Sequence, residues 1–190
     1  MRVFEREKLL HAIIFFTKET RACHKLKLFK LLYFLDFQIY RETGKSVTGL
    51  GYFAWPMGPV PRDLDDEFSA PRPDMLAAIK LRTEAEADPD FKGKRLHITP
   101  HVAFSKEHFT KRELAAMERL AEIFRTATGK QMTIATHAVG LPWHQVYEVE
   151  GRHWDAISYA LALDSKPGSV TEEHAEEIEL ESRAAVALFK

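Results

Sequence analysis

The sequence predicts a mainly α-helical fold, a compact helical domain with a small β element between two helical halves. Three observations predict it. Apolar residues recur at helical spacing through the first 42 positions. A stretch rich in glycine, proline and β-favouring residues follows at 46–61. Beyond residue 109 the helical pattern returns with recognisable caps.

The first helix is expected over Arg6–Thr20, where Leu9, Leu10, Ile13, Ile14 and Phe16 share one side. The second is expected over Lys25–Glu42 and is apolar on most sides, from Leu26 and Phe29 to Ile39 and Tyr40. Such a helix has neighbours packed all round it. Its polar residues Lys27, Lys30, Gln38 and Arg41 fall on one narrow stripe, read as a solvated face. Gly44 ends it. Ser46–Trp55 reads as a strand or an extended arm, and Trp55-Pro56-Met57-Gly58-Pro59-Val60-Pro61 as a stiff turn, because proline fixes its own φ and restricts the residue before it. Pro61 then opens a helix to about Phe68.

Residues 69–75, with Pro71 and Pro73, read as loop. Ala77–Ala85 and Arg95–Thr99 are compatible with a hairpin around the polar loop Asp88–Lys94, although the first segment is equally compatible with a helix. Thr110 and Glu113 form a capping-box signature ahead of a helix burying Leu114, Met117, Leu120, Ala121 and Phe124 and stopped by Gly129. A short helix is expected over Thr133–Val139, closed by Gly140. Another starts at Pro142 and runs to about Val149, and a short apolar helix is expected within Trp154–Leu163. Lys166-Pro167-Gly168-Ser169 reads as a linker to an acidic helix capped by Thr171. The expected organisation is a helical domain at 1–164 and an acidic helical extension at 165–190.

At 190 residues the chain is long enough for one core without covalent staples. Cys23 is the single cysteine, which excludes an internal disulfide and fits a reducing, cytoplasmic setting. The N-terminal segment is charged where a signal peptide needs an apolar run. The longest apolar runs, Ala12–Phe16 and Leu31–Leu35, fall far short of the roughly 20 residues that cross a bilayer. No membrane association is expected. The net charge of −1 hides a polarity. Residues 1–50 are mainly basic. From Asp164 onward, Glu172, Glu173, Glu176, Glu177, Glu179 and Glu181 make the chain acidic, which repels nucleic acid and attracts basic partners.

Catalytic constellations are scarce. His97, His101, His108, His137, His144 and His153 cluster late, but no His-x-x-x-His pair and no Cys-x-x-Cys is present, so neither a metal nor any other cofactor is expected. Cys23-His24 are adjacent and point about 100° apart on a helix, a poor nucleophile–base pair. Gly49-Leu50-Gly51 lacks the rest of a phosphate loop. The short helices around Gly140-Leu141-Pro142 suggest a helix-turn-helix, yet the second would carry Trp143, His144, Gln145, Glu148 and Glu150 and no arginine or lysine for DNA. An enzyme is therefore not expected. A DNA-binding regulator of its own operon is the alternative reading, and an unrecognised hydrolase ranks third.

Two stretches and a later pair carry a resemblance. Lys30-Leu31-Leu32-Tyr33-Phe34, then Phe53-Ala54-Trp55-Pro56-Met57-Gly58-Pro59-Val60-Pro61, and finally Thr136-His137 followed by Pro142-Trp143, resemble the Panacea, or SocA-like, antitoxin domain in order and spacing across residues 8–160. The resemblance implies a protein that neutralises a cognate toxin, usually encoded next door, by direct binding. It also raises delivery of that toxin to the Clp protease, as the best-known member of the family does. It brings no catalytic residues. The motif positions Lys30, Leu31, Leu32, Tyr33, Trp55, Gly58, Pro59, Val60, His137 and Trp143 read as structural. The expected partner surface lies on the acidic helix: Glu172, Glu173, Glu176 and Glu177, with Ile178, Ala185 and Phe189 as apolar anchors.

Overall fold

A computed structural model describes residues 3–85, 94–164, 166 and 169–187. Helices α1 (Val3–Glu19) and α2 (Lys25–Thr43) lead into a hairpin of β1 (Tyr52–Trp55) and β2 (Gly58–Pro61). Two short helices follow, α3 (Arg62–Ser69) and α4 (Pro73–Ala78), then a second hairpin, β3 (Ile79–Ala85) and β4 (Lys94–Pro100). The later half holds α5 (Lys111–Ile123), α6 (Gly129–Thr136) and α7 (Pro142–His144), which continues into a π-helical turn over Gln145–Val149. The two-residue strand β5 (Ala156–Ile157), a 3-10 turn (Tyr159–Ala162) and α8 (Glu172–Ala187) complete the chain. The mainly α class with a small β element therefore holds.

Helix α2 is the axis. Leu28, Phe29, Leu31, Leu32, Tyr33, Leu35, Phe37 and Ile39 are all buried. The elements around it include α1, α5, α6, β2, β4 and the 3-10 turn. Gly44 ends α2 in the left-handed conformation (φ 71°), its N–H donating to Tyr40 O at 2.7 Å. A side chain at Gly44 would meet the Ala175 backbone at 3.1 Å, because α8 lies across this end of α2.

The expected solvated stripe is corrected. Lys27 and Lys30 are 2 % and 0 % exposed. A helix encircled by neighbours has no solvated face along its middle, so both ammonium groups turn to backbone carbonyls. Lys27 Nζ donates to Arg21 O at 2.9 Å and Arg125 O at 3.2 Å, and Lys30 Nζ to Pro59 O at 2.8 Å. Lys25, at the end of the helix, stays partly exposed and pairs with Asp65 at 2.5 Å. Asp36 is buried on α2 as well. It accepts from Val47 N and Thr48 N, both at 2.8 Å, from Tyr52 OH at 2.8 Å and from the Thr48 hydroxyl.

Several local expectations shift. The stiff turn is a β-hairpin tip, and Gly58–Pro61 is a strand whose prolines are tolerated because β2 is an outer strand in the order β2-β1-β5. Within Ser46–Trp55 only Tyr52–Trp55 is strand. Pro73 begins α4 instead of extending a loop, since a missing N–H is harmless at the first helical position. The second hairpin forms as a hairpin, Ile79 facing Pro100 and Ala85 facing Lys94; its connecting residues 86–93 lie outside the described residues. Gly129 opens α6 and does not stop α5. Helix α5 ends at Ile123, and Thr128 with Gln131 caps α6, which ends at Thr136 before the expected Val139. Trp154–Leu163 holds β5 and a 3-10 turn in place of an apolar helix, because Ala54 N–H donates to Asp155 O and Trp154 N–H to Ala54 O, both at 2.8 Å, drawing the segment onto β1.

Arg6 clamps α1 to the following elements. It forms bidentate pairs with Glu67 (2.6 and 2.9 Å) on α3 and with Asp74 (2.6 and 2.8 Å) on α4. Among the described residues, no helix is long and apolar enough to cross a membrane.

Candidate functional site

The motif residues, distant in sequence, converge on one buried cluster. Lys30 reaches from α2 to the carbonyl of Pro59. Gly58 sits above it with φ 95°, and a Cβ there would stand 2.8 Å from Lys30 Nζ and 2.8 Å from Thr136 Oγ1. The Thr136 hydroxyl turns back into its own helix, donating to Thr133 O at 2.9 Å. His137 stacks flat on Trp143, ring centroids 3.6 Å apart at 6°. Trp143 N–H donates to Tyr33 OH at 3.2 Å and its indole N–H to Trp55 O at 2.9 Å. The stack continues from Trp143 to Tyr147 and from Tyr147 to His153. Leu31, Leu32 and Val60 are buried in the core.

Burial pushes the Lys30 ammonium down to about 7, and burial together with the Lys30 charge lowers His137. A lysine with such a low pKa is often chemically active. Here the side chain has no exposed surface, so no substrate can reach it. Burial disfavours its charged form, and among the described residues Pro59 O is the acceptor it reaches. His137 Nε2, just past α6, and Thr133 Oγ1 are buried with no hydrogen-bond partner among the described residues.

A pH dependence follows. The folded value near 7 lies below the ordinary 10.5, so between the two the unfolded chain holds more protons and stability rises with pH. The burden on the fold is complete below pH 7 and gone above the unfolded value. Urea unfolding from about pH 6.5 to about pH 9.5 is expected to show a wild-type gain on the order of a few kcal/mol that Lys30→Met lacks. Parallel profiles for the two proteins would contradict this placement of Lys30.

Other sequence candidates resolve as follows. Burial pushes the Cys23 thiol up to about 11, which removes the thiolate a nucleophile needs. The segment suggested as a recognition helix buries Pro142, Trp143 and Val146 against the core, and Lys27 and Lys30 are covered. One cluster escaped the sequence search. Glu7 and His11, one turn apart on α1, meet His108 with ligand atoms within 4.8 Å of one another. Its chemistry disfavours a metal. His11 Nδ1 accepts the Ser105 N–H at 3.1 Å, which places the ring proton on Nε2 and occupies both nitrogens. The His11 and His108 rings also stack face to face at 4.3 Å. Metal analysis of protein dialysed after zinc loading is expected to find well under one zinc per chain; stoichiometric zinc lost in His108→Ala would overturn this.

On α8, Glu172, Glu173, Glu176 and Glu177 are exposed. Thr171 caps the helix, its hydroxyl accepting from His174 N–H at 3.2 Å. Ala175 is buried, and Ile178 lies half-buried against Gly44, so α8 is docked on its own chain. The Ala185 side chain and Phe189 lie outside the described residues. A groove of about 350 Å3 is lined by Glu172, Glu176 and Glu179 together with Tyr40, Phe53 and Tyr159.

Residues 28–144 match the family described as antitoxin SocA-like, Panacea domain. The chain belongs to this family. No curated protein and no solved structure matches the chain. The matched span of the Panacea domain takes in the cluster from Lys30 to Trp143, leaves out Tyr147 and His153 of the stack, and excludes α8. Lys30, Tyr33, Gly58, Thr136 and Trp143 of the motif stretches are buried, whereas Trp55 and His137 are half-buried and Pro56 and Met57 are exposed at the hairpin tip.

Proposed function

We propose that this Panacea-domain chain is a cytoplasmic antitoxin that neutralises a cognate toxin by direct protein–protein binding and not by catalysis. Membership of an antitoxin family carries the reading. The burial of Lys30 is consistent with it: this lysine, whose pKa burial lowers to about 7, has no exposed surface and donates to a backbone carbonyl. The toxin is expected from the adjacent reading frame, and delivery of the bound toxin to the Clp protease is a further route to neutralisation.

Co-expression tests this. Induction of the neighbouring gene alone should arrest growth, and this chain supplied in trans should restore it. Rescue that persists in a strain lacking the Clp protease would assign neutralisation to binding alone. Failure of the chain to rescue would refute the antitoxin reading. Autoregulation is the competing role, and it would appear as a tight shift of the protein's own promoter with a steep salt dependence, since that slope counts neutralised phosphates.

A further inference from the structure

Trp154 is in the wrong place for a residue that serves only the fold. Its φ of 70° lies in the left-handed region, where a bulky side chain is strained. Two hydrogen bonds fix the backbone there: Trp154 N–H donates to Ala54 O and Ala54 N–H to Asp155 O, both at 2.8 Å. Glycine adopts that conformation at no steric cost. The sequence instead places its largest side chain type there and leaves 57 % of it exposed. The indole has company. Its ring centroid lies 5.2 Å from that of Trp55, half-buried at the β1–β2 hairpin tip, and Pro56 and Met57 stand exposed beside Trp55. The platform is held from beneath, because Trp55 O accepts from the indole of the fully buried Trp143 at 2.9 Å. Its rim is acidic. Asp155 follows Trp154, and Glu148 follows Tyr147, whose ring stacks on His153 at 4.2 Å. Both are exposed, and neither carboxylate has a hydrogen bond or ion pair among the described residues. Arg152 is already taken by Glu150 at 2.8 Å.

We propose that Trp154, Trp55 and Met57 form the docking platform for an apolar side chain on a lysine- or arginine-bearing segment of the cognate toxin, and this rests on the antitoxin reading above. Charge complementarity chooses the occupant. Two unpaired carboxylates beside the rings attract a basic segment. They repel phosphate, which disfavours nucleic acid, and a second copy would bring the same acidic rim against itself. The composition is that of a binding hot spot, since tryptophan and methionine are enriched at interfaces and tryptophan carries much of their energy. The rings are fixed before any partner arrives, so little ordering is left for binding. The hairpin tip also lies within the span that matches the antitoxin family, and folding brings Trp154 to it from outside that span.

The test titrates the purified product of the neighbouring gene into the full chain, as wild type, Trp154→Gly, Met57→Ser and Leu76→Ser, the last a control at an exposed apolar residue on α4. Thermal melts accompany each protein. Trp154→Gly is expected to melt within a few degrees of wild type, because relief of the left-handed strain offsets the lost ring contact, and yet to bind about tenfold more weakly or worse. Met57→Ser, which touches no strained backbone, should weaken binding in the same direction, and Leu76→Ser should change it less than about twofold. If Trp154→Gly fails to fold, Met57→Ser decides alone. Undiminished binding by the platform variants overturns the proposal and leaves the antitoxin reading in place. A wild-type dimer in sedimentation that Met57→Ser dissolves also overturns it, since the platform would then be a contact between copies. A wild type that neither binds the neighbouring product nor rescues growth overturns both.

Discussion

Gly58→Val is expected to lose about 3–5 kcal/mol of stability, a large part of what a domain of this size has. Two independent reasons add. The residue sits at φ 95°, where a β-branched side chain is strained. Its Cβ would also stand 2.8 Å from both Lys30 Nζ and Thr136 Oγ1 inside the motif cluster. Neither group has room to retreat, because Lys30 and Thr136 are fully buried. Gly58→Ala should fall between wild type and valine. Urea unfolding checks both, and an unchanged midpoint in Gly58→Val would show that the hairpin tip is not pressed on the cluster as described.

Asp36→Ala should do at least as much damage. Four donors converge on that carboxylate: two backbone N–H groups, the Thr48 hydroxyl and the Tyr52 hydroxyl. Leaving each buried and unsatisfied costs about 1–3 kcal/mol, so a loss of more than about 4 kcal/mol is expected. Burial pushes the carboxyl up to about 6 while the four donors pull it down, so it is ionised at neutral pH. Asp36→Asn keeps one carbonyl acceptor but turns an amide N–H2 toward donors, so it should be intermediate. Circular dichroism during urea unfolding gives the ranking, and an Ala variant as stable as wild type would contradict the hub.

How far these features were legible in the sequence depends on how local their causes are. The capping box was legible because Thr110 and Glu113 are three residues apart; in the structure Thr110 N–H donates to Glu113 at 2.7 Å and Glu113 N–H to Thr110 at 3.2 Å. The same signature at Thr128 and Gln131 was present but hidden behind Gly129, which was read as a stop signal. The central role of α2 was legible from apolar residues on most of its sides. The burial of Lys27 and Lys30 was not, because the carbonyls that accept from them belong to residues 59 and 125 as well as to the nearby 21. Asp36 alone among apolar neighbours was a signal available and unused. The groove is tertiary in origin. The spacing of Glu172, Glu176 and Glu179 was visible, but the aromatic residues 40, 53 and 159 that line the same groove are brought alongside only by folding. The motif residues were read as structural from their types alone; that Lys30, Pro59, Trp55 and Trp143 meet is a tertiary fact no local pattern carries.

The most direct measurement is calorimetric titration of the purified product of the neighbouring gene with the full chain. A saturable heat at a fixed stoichiometry, abolished or sharply weakened when the toxin's growth-arresting activity is no longer neutralised by a variant, is the expected result. A titration without heat, from a chain that still binds its own promoter tightly, would contradict direct neutralisation and leave a DNA-binding regulator in its place.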